Sequence, residues 1–508
     1  MKILLFSFLS QIPEYARYID ALKKVGSVQS LLLTTDPKAY KLGQKVGVFD
    51  SVKDILPEQS AIDAADTDSS GADQSLKALE DRIGSCFINK DILMDRYFRG
   101  QQRLDLDLNT MPLIWTGART KQFMSLIYKR LEEEIATFDP DFIFVETSYA
   151  PGRMAWRLGR ERGIPAGVFM PVRFWSERLY LETGIGYDWH HARITYNEMT
   201  DKPMMGEELS KVKQRLQVFI EAKEKPVYLQ SEHAKGSPSF LKRLHPERLF
   251  AGLNIWLGMR SRTYMRNPRV LPGKIFSPMA KYVRHRDGLK AMRYLLKHQS
   301  PFEKIQTKKY VIYFLHVQPE QTVEEMAFDY QDQVNTLRNI LASLPADMCL
   351  VVKEHSPMLG YRPIEVYSQL VHMPGIIIAD THEDSHKLIT HASAVVTLTG
   401  TVALEALAYG IPAIVLGSVY FDSFNGIYKP ENLSELKKLL SNPDVLVGAT
   451  EEDALRTLGS LLRASQPGTP ARIDVRLQEI DLESAKVMYS ELEKSREEYL
   501  SGMMKDEC

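Results

Sequence analysis

Ala394-Val395-Val396-Thr397-Leu398-Thr399-Gly400-Thr401-Val402-Ala403-Leu404-Glu405-Ala406-Leu407-Ala408-Tyr409-Gly410-Ile411-Pro412-Ala413-Ile414-Val415-Leu416-Gly417 reads as strand, turn, helix and strand. The β-branched run at 394–397 suits a buried strand, and Thr399-Gly400-Thr401 a turn. The good helix formers that follow are ended by Gly410, and Ile411-Pro412 leads into a second apolar strand. In that order, the unpaired N–H groups of the helix start lie at the carboxyl edge of a parallel sheet, where an anionic phosphate is held. Thr399, Gly400 and Thr401 are therefore candidate phosphate contacts. Glu405 either accepts hydrogen bonds from a ribose at the same rim or is an acidic residue favouring the helix dipole, worth roughly 0.3–1 kcal/mol.

The same grammar occurs about 250 residues earlier. Pro140 to Glu146 is a buried strand, Thr147-Ser148-Tyr149-Ala150-Pro151-Gly152 a turn, Arg153 to Arg162 a helix, and Ala166 to Met170 the next strand after Gly163-Ile164-Pro165. Two such units predict two similar doubly wound α/β domains facing one another, although their sequences are too different to form a repeat. The chain also opens with strand, helix and strand (Lys2 to Phe8, Glu14 to Val25, Val28 to Thr35) but lacks Gly-x-Gly-x-x-Gly, which argues against a dinucleotide cofactor. Open α/β sheets bind ligands beyond the carboxyl ends of their strands. Tyr149 and Arg173 are placed there in the first unit, as candidate acceptor contacts; Arg173 alternatively packs over Trp175 or pairs with Glu177.

In the second unit, the strand Lys309 to Val317 delivers the turn His316 to Thr322, which contains Gln318 and Glu320. A helix is expected from about Val323 to Ala342, and the strand Met348 to Val352 ends in Lys353-Glu354-His355. Strand ends thus bring Glu320, Lys353, His355 and Thr399 to one rim.

Composition narrows the class. At 508 residues the chain is too long for one core, and 44% hydrophobic content, 25% charge and a net charge of −1 describe an ordinary globular protein with no global affinity for nucleic acid. Cys86, Cys349 and Cys508 lack metal-site spacing and suit a reducing compartment. Met1 to Ser10 reads as a buried strand and not a signal peptide. No window approaches the ~20 apolar residues of a spanning helix, so membrane attachment would be peripheral. Residues 57–76 read as a mobile loop, and Asn89 to Gly100 as a binding edge or a solvated helix. Between residues 240 and 300, 14 basic residues face only Glu247 and Asp287, a net +12 interleaved with aromatics. That favours an anionic lipid surface or a phosphorylated acceptor; nucleic acid satisfies the same charges, and a solvated helical linker is the plain alternative.

Lys-x-His after a strand, followed by Thr-Gly-Thr-x-x-x-Glu-Ala-x-x-x-Gly-x-Pro, resembles the bacterial capsule polysaccharide biosynthesis proteins, which include retaining transferases of the sugar acid Kdo. The likeness covers residues 305–425 and reaches the first domain only in general layout. It implies a GT-B fold, two Rossmann-type doubly wound domains facing across a cleft. The boundaries expected are 1–239 for an acceptor domain, 240–304 for a basic linker, 305–470 for a nucleotide-sugar domain and 471–508 for a helix crossing back. The resemblance further implies a metal-independent glycosyltransferase with no cofactor. Its donor would be a nucleotide-sugar, CMP-linked in the Kdo-type case, and its acceptor a glycan or glycolipid. Gln318, Lys353, Thr399, Gly400, Thr401 and Glu405 would bind the donor, and Glu320 and His355 would be catalytic. The site of action would be the cytoplasm, peripheral at the inner face of the cytoplasmic membrane. A glycerophosphotransferase, a sugar-nucleotide 2-epimerase and a non-catalytic membrane-associated assembly protein remain as alternatives.

Overall fold

The computed structural model describes residues 1–8, 11–64, 70–95, 117–184, 189–222, 278–318, 320–473 and 476–500. Residues 240–277 of the basic segment, 65–69 of the expected loop, 96–100 and the terminal 501–508 lie outside them.

Two parallel sheets organise the chain. In the first, β1 (Lys2–Phe6), β2 (Gln29–Thr34), β3 (Ser51–Asp54), β4 (Phe142–Val145) and β5 (Ala166–Val172) are joined by antiparallel β6 (Trp175–Glu182) and β13 (Gln466–Pro467), in the order β13-β6-β5-β4-β1-β2-β3. In the second, β7 (Lys309–Phe314), β8 (Met348–Lys353), β9 (Ile376–Ile378), β10 (Ala394–Thr397), β11 (Ala413–Val415) and β12 (Ile427–Tyr428) run parallel in the order β12-β11-β10-β7-β8-β9. Each sheet thus reverses its winding beside its first strand, between β1 and β4 and between β7 and β10, the two positions where a doubly wound sheet opens a crevice for ligand. The central strands are β-branched and aromatic because helices cover both faces; Val311, Ile312, Val351, Val395 and Val396 are all fully buried.

The Val402–Ala408 helix follows β10, and Gly410 closes it with φ of 70° in the left-handed region. The helix Glu451–Ala464 packs against His190–Glu198 and Gly206–Ala222, so Tyr196, Val212, Leu216 and Phe219 share one core with β7, β10 and β11. The terminal helix Leu482–Leu500 lies on the first lobe, where Met488 and Leu492 join Ile3, Leu5 and Tyr15.

Three local expectations fail for physical reasons. Part of the expected mobile loop is a helix, Gln59–Asp63, because Ile62 finds a fully buried place beside Leu76 and Phe123. The stretch after β5 turns back as β6 instead of ending at a rim. The expected helix from Val323 to Ala342 breaks into Gln321–Glu324, a 3-10 turn at Phe328–Tyr330 and Gln333–Leu341, the last capped by Asp332.

Candidate functional site

The carboxyl ends of β4 and β7 meet across the lobes. Gln321, just after β7, donates to Thr147 Oγ1 at 2.9 Å and accepts from Ser148 Oγ at 2.8 Å. Behind that joint Arg153, 1% exposed, donates to Asp91 at 3.0 Å and to the Thr147 carbonyl at 2.8 Å. Glu325 reaches toward this cluster from the second lobe, and neither of its buried carboxyl oxygens has a hydrogen-bond partner. Burial pushes its pKa up to about 7, against the pull of Arg153.

A continuous polar chain links the Lys-x-His element to the Thr-Gly-Thr turn, through residues the sequence motif leaves unmarked. Glu354 accepts from Arg362 Nε (2.7 Å), Tyr367 Oη (2.7 Å) and the His355 N–H (2.7 Å). Arg362 donates to the His316 carbonyl at 2.8 Å, and Gln333 accepts the His316 N–H at 2.8 Å. His316 Nε2 then lies 2.9 Å from Thr397 Oγ1 and 3.1 Å from the Leu398 N–H. Thr397 Oγ1 accepts the Gly400 N–H at 3.1 Å. Burial, reinforced by the charges of His355 and Arg362, lowers the pKa of His316 to about 3, so the ring is neutral. Gly400 is required here because a Cβ would stand 2.7 Å from Thr397 Oγ1 and 3.4 Å from His316 Cε1.

This geometry redistributes the expected donor residues. Gly400 has its N–H tied to Thr397, and Thr399, 5% exposed, directs its hydroxyl to Thr322 O at 3.2 Å. The N–H groups of Thr401 and Val402 carry no protein acceptor among the described residues, and both residues are partly accessible. The helix start is therefore open, but through two amides and not the whole turn. Gln318 is engaged on both ends of its amide, by Gln333, Glu324 and Gln331, and shapes the loop instead of facing a ligand. Lys353, 6% exposed, donates to Thr381 O at 3.0 Å, beyond β9 and away from the β10 turn. Its ammonium fastens a neighbouring loop.

Glu405 and Arg173, expected to meet donor and acceptor separately, meet each other. Arg173 Nη2 lies 2.9 Å from Glu405 Oε1, and burial raises the Glu405 pKa while Arg173 pulls it down. The guanidinium stacks over Phe174 (5.0 Å) and Phe219 (5.7 Å), and so neither covers Trp175 nor pairs with Glu177. The tight β5–β6 turn aims it there, with Phe174 held at φ of 72° and its carbonyl accepting from Arg215. A bulky residue in that region is strained by roughly 1–3 kcal/mol.

Glu320, His355, Tyr149 and Thr401 remain partly accessible. Glu320 starts the short helix beside the interlobe joint, with its carboxylate accepting from Thr322 Oγ1 at 3.2 Å. Tyr149 precedes the Ala150–Glu161 helix and packs on Phe8 at 4.4 Å. The accessible groups are thus a carboxylate, an imidazole, a phenol and two free amides. Groups of these kinds suit an anionic leaving group and a hydroxyl acceptor.

No curated protein matches the chain. Among solved structures it is similar to the beta Kdo 2,7 transferase of Thermosulfurimonas dismutans KpsC, at 12% identity over 72% of this chain and 88% of that one, with a TM-score of 0.34. The beta Kdo 2,4 transferase of the same KpsC matches at 10% identity over 63% and 79%, with a TM-score of 0.31. The UDP-GlcNAc 2-epimerase from Neisseria meningitidis matches at 10% over 91% and 98%, with a TM-score of 0.22. At such scores these likenesses carry no functional conclusion. The family described as capsule polysaccharide biosynthesis protein matches residues 274–457, which include the β7 loop, the Lys-x-His element and the Thr-Gly-Thr turn. Over residues 274–457, the second sheet and its loops are similar to the family described as capsule polysaccharide biosynthesis protein.

Proposed function

We propose that the chain is a nucleotide-sugar-dependent glycosyltransferase of bacterial surface polysaccharide synthesis, of the retaining Kdo type with a CMP-linked donor. The observation that carries this reading is the coincidence of the family match with an open helix start at the β7/β10 switch point, opposite the carboxyl edge of a second doubly wound sheet. A departing nucleotide develops negative charge, and the N–H groups of Thr401 and Val402 donate hydrogen bonds to it in this reading. Well-aimed donors in a water-poor site each contribute about 3–4 kcal/mol of transition-state stabilisation. Glu320 supplies the carboxylate, attacking the anomeric carbon if configuration is retained or taking the acceptor proton if it is inverted. In this reading His355 assists the chemistry and Tyr149 contacts the acceptor. No metal or cofactor has a part in this scheme.

The same reading puts the acceptor at an anionic membrane surface. No helix among the described residues is long and apolar enough to cross a membrane. The helix Pro278–Lys297 buries Ala291 and Leu295 in the second lobe and leaves Lys290, Arg293 and Lys297 exposed, one helical repeat apart, with no ion-pair partner among the described residues. Incubation with CMP-, UDP- and GDP-sugars and lipid-linked acceptors tests the proposal. Sugar transfer onto the acceptor supports it, whereas an epimerised nucleotide-sugar or a transferred polyol phosphate as the sole product would replace it.

A further inference from the structure

We propose that His316 is the positioning residue of the donor turn. As the neutral Nδ1–H tautomer it offers Nε2 to the Leu398 N–H and the Thr397 hydroxyl, and so aims the N–H groups of Thr401 and Val402 at the donor phosphate. This rests on the reading of that turn as the donor site. Geometry alone assigns the tautomer. A backbone N–H only donates, so the ring nitrogen 3.1 Å from Leu398 N must carry a lone pair, and the ring proton belongs to Nδ1. The backbone that carries the ring is fixed on both sides of its Cα. Gln333 takes the N–H at 2.8 Å and Arg362 grips the carbonyl at 2.8 Å. Arg362 is itself clamped by Glu354, the middle residue of Lys-x-His, at 2.7 and 3.2 Å.

The consequence runs through Thr397. Its hydroxyl hydrogen turned to Nε2 leaves its oxygen lone pairs to accept the Gly400 N–H, which closes the turn. With the Leu398 and Gly400 amides occupied inside the protein, the next two N–H groups, of Thr401 and Val402, have no acceptor among the described residues. An imidazolium at this position would lose both acceptor contacts, so the turn needs the neutral ring. Tyr313 packs beside the ring at 6.1 Å and Glu354 lies behind Arg362, while the charges of His355, at the β8 end, and of Arg362 act to keep the proton off.

The test uses the full chain titrated calorimetrically with CMP, UDP and GDP, for wild type, His316→Gln and His316→Phe. Gln can place Oε1 near the position of Nε2 and keep the acceptor; Phe keeps the ring shape and removes it. Expected are at least a tenfold loss of nucleotide affinity in His316→Phe and recovery to within about threefold of wild type in His316→Gln. In the transfer assay KM for the donor should rise more than kcat falls. Nitrogen-15 spectra of the histidine rings supply a readout free of any folding defect: His316 should show a protonated Nδ1 and a bare Nε2, unchanged from pH 5 to 8. Wild-type affinity in His316→Phe, a protonated Nε2, or titration near pH 6.5 would overturn the proposal. A wild-type chain that binds none of the three nucleotides would instead overturn the donor reading beneath it.

Discussion

Replacing Glu325 by Gln should stabilise the protein at pH 8 and leave it nearly unchanged at pH 5. Glu325 sits between the lobes with both carboxyl oxygens buried and unbonded, and its pKa rises from 4.5 to about 7. The unfolded chain therefore releases this proton near pH 4.5 and the folded chain only near 7. Folded-state stability from this group is complete below about 4.5 and is lost as pH rises through 7. A shift of this size corresponds to about 3 kcal/mol above pH 7 and less than about 1 kcal/mol at pH 5. Glutamine mimics the protonated form without titrating, so Glu325→Gln should recover that amount at pH 8. His316 has the opposite dependence, since its depressed pKa withdraws stability as pH falls from 6.5 towards 3, but it is common to both proteins and cancels in their difference. Urea unfolding of wild type and variant at pH 5 and 8 gives the comparison. An equal difference at both pH values, or a loss of stability at pH 8, would mean that Glu325 is ionised and paired with Arg153 in the folded protein, and would refute the reasoning.

Three further outcomes follow from the site. Arg173→Ala strands the buried Glu405 carboxylate and should lower stability by about 3–5 kcal/mol, while Arg173→Met with Glu405→Leu should recover most of the loss in thermal melts. Glu320→Gln should reduce sugar transfer by roughly a hundredfold or more and leave the nucleotide Kd within twofold, measured by transfer assay and calorimetry. Lys353→Met should destabilise by about 1–3 kcal/mol through the lost Thr381 contact, with nucleotide affinity within twofold of wild type.

The fold was legible because its signals are local and repeated. Two strand-turn-helix-Gly-x-Pro-strand units announce two doubly wound sheets, and the β10 stretch falls on strand, turn and helix nearly residue by residue. What the sequence hid are partners brought together by the tertiary fold. Arg173 and Glu405 stand 232 residues apart, and no periodicity could show that the β5–β6 turn carries one to the other. Lys353 lies at a strand end, and its nearly buried ammonium donates to the Thr381 carbonyl 28 residues on, a partner that only the fold supplies. His316 was visible in the turn after β7, but its role depends on Thr397 and Leu398 across the switch point. A polar residue at the carboxyl end of each strand flanking that point is the signal that would have found it.

The most direct test of a donor phosphate held by the Thr401 and Val402 amides is nucleotide titration of Thr401→Pro. Thr401 has φ of −60°, which proline adopts without strain, so the substitution removes the N–H and hydroxyl while keeping the backbone. One of CMP, UDP or GDP should bind the wild-type chain one to one and bind Thr401→Pro at least tenfold more weakly, with melting temperature unchanged within a few degrees. Equal binding by both proteins, or no binding of any of the three to wild type, would contradict it.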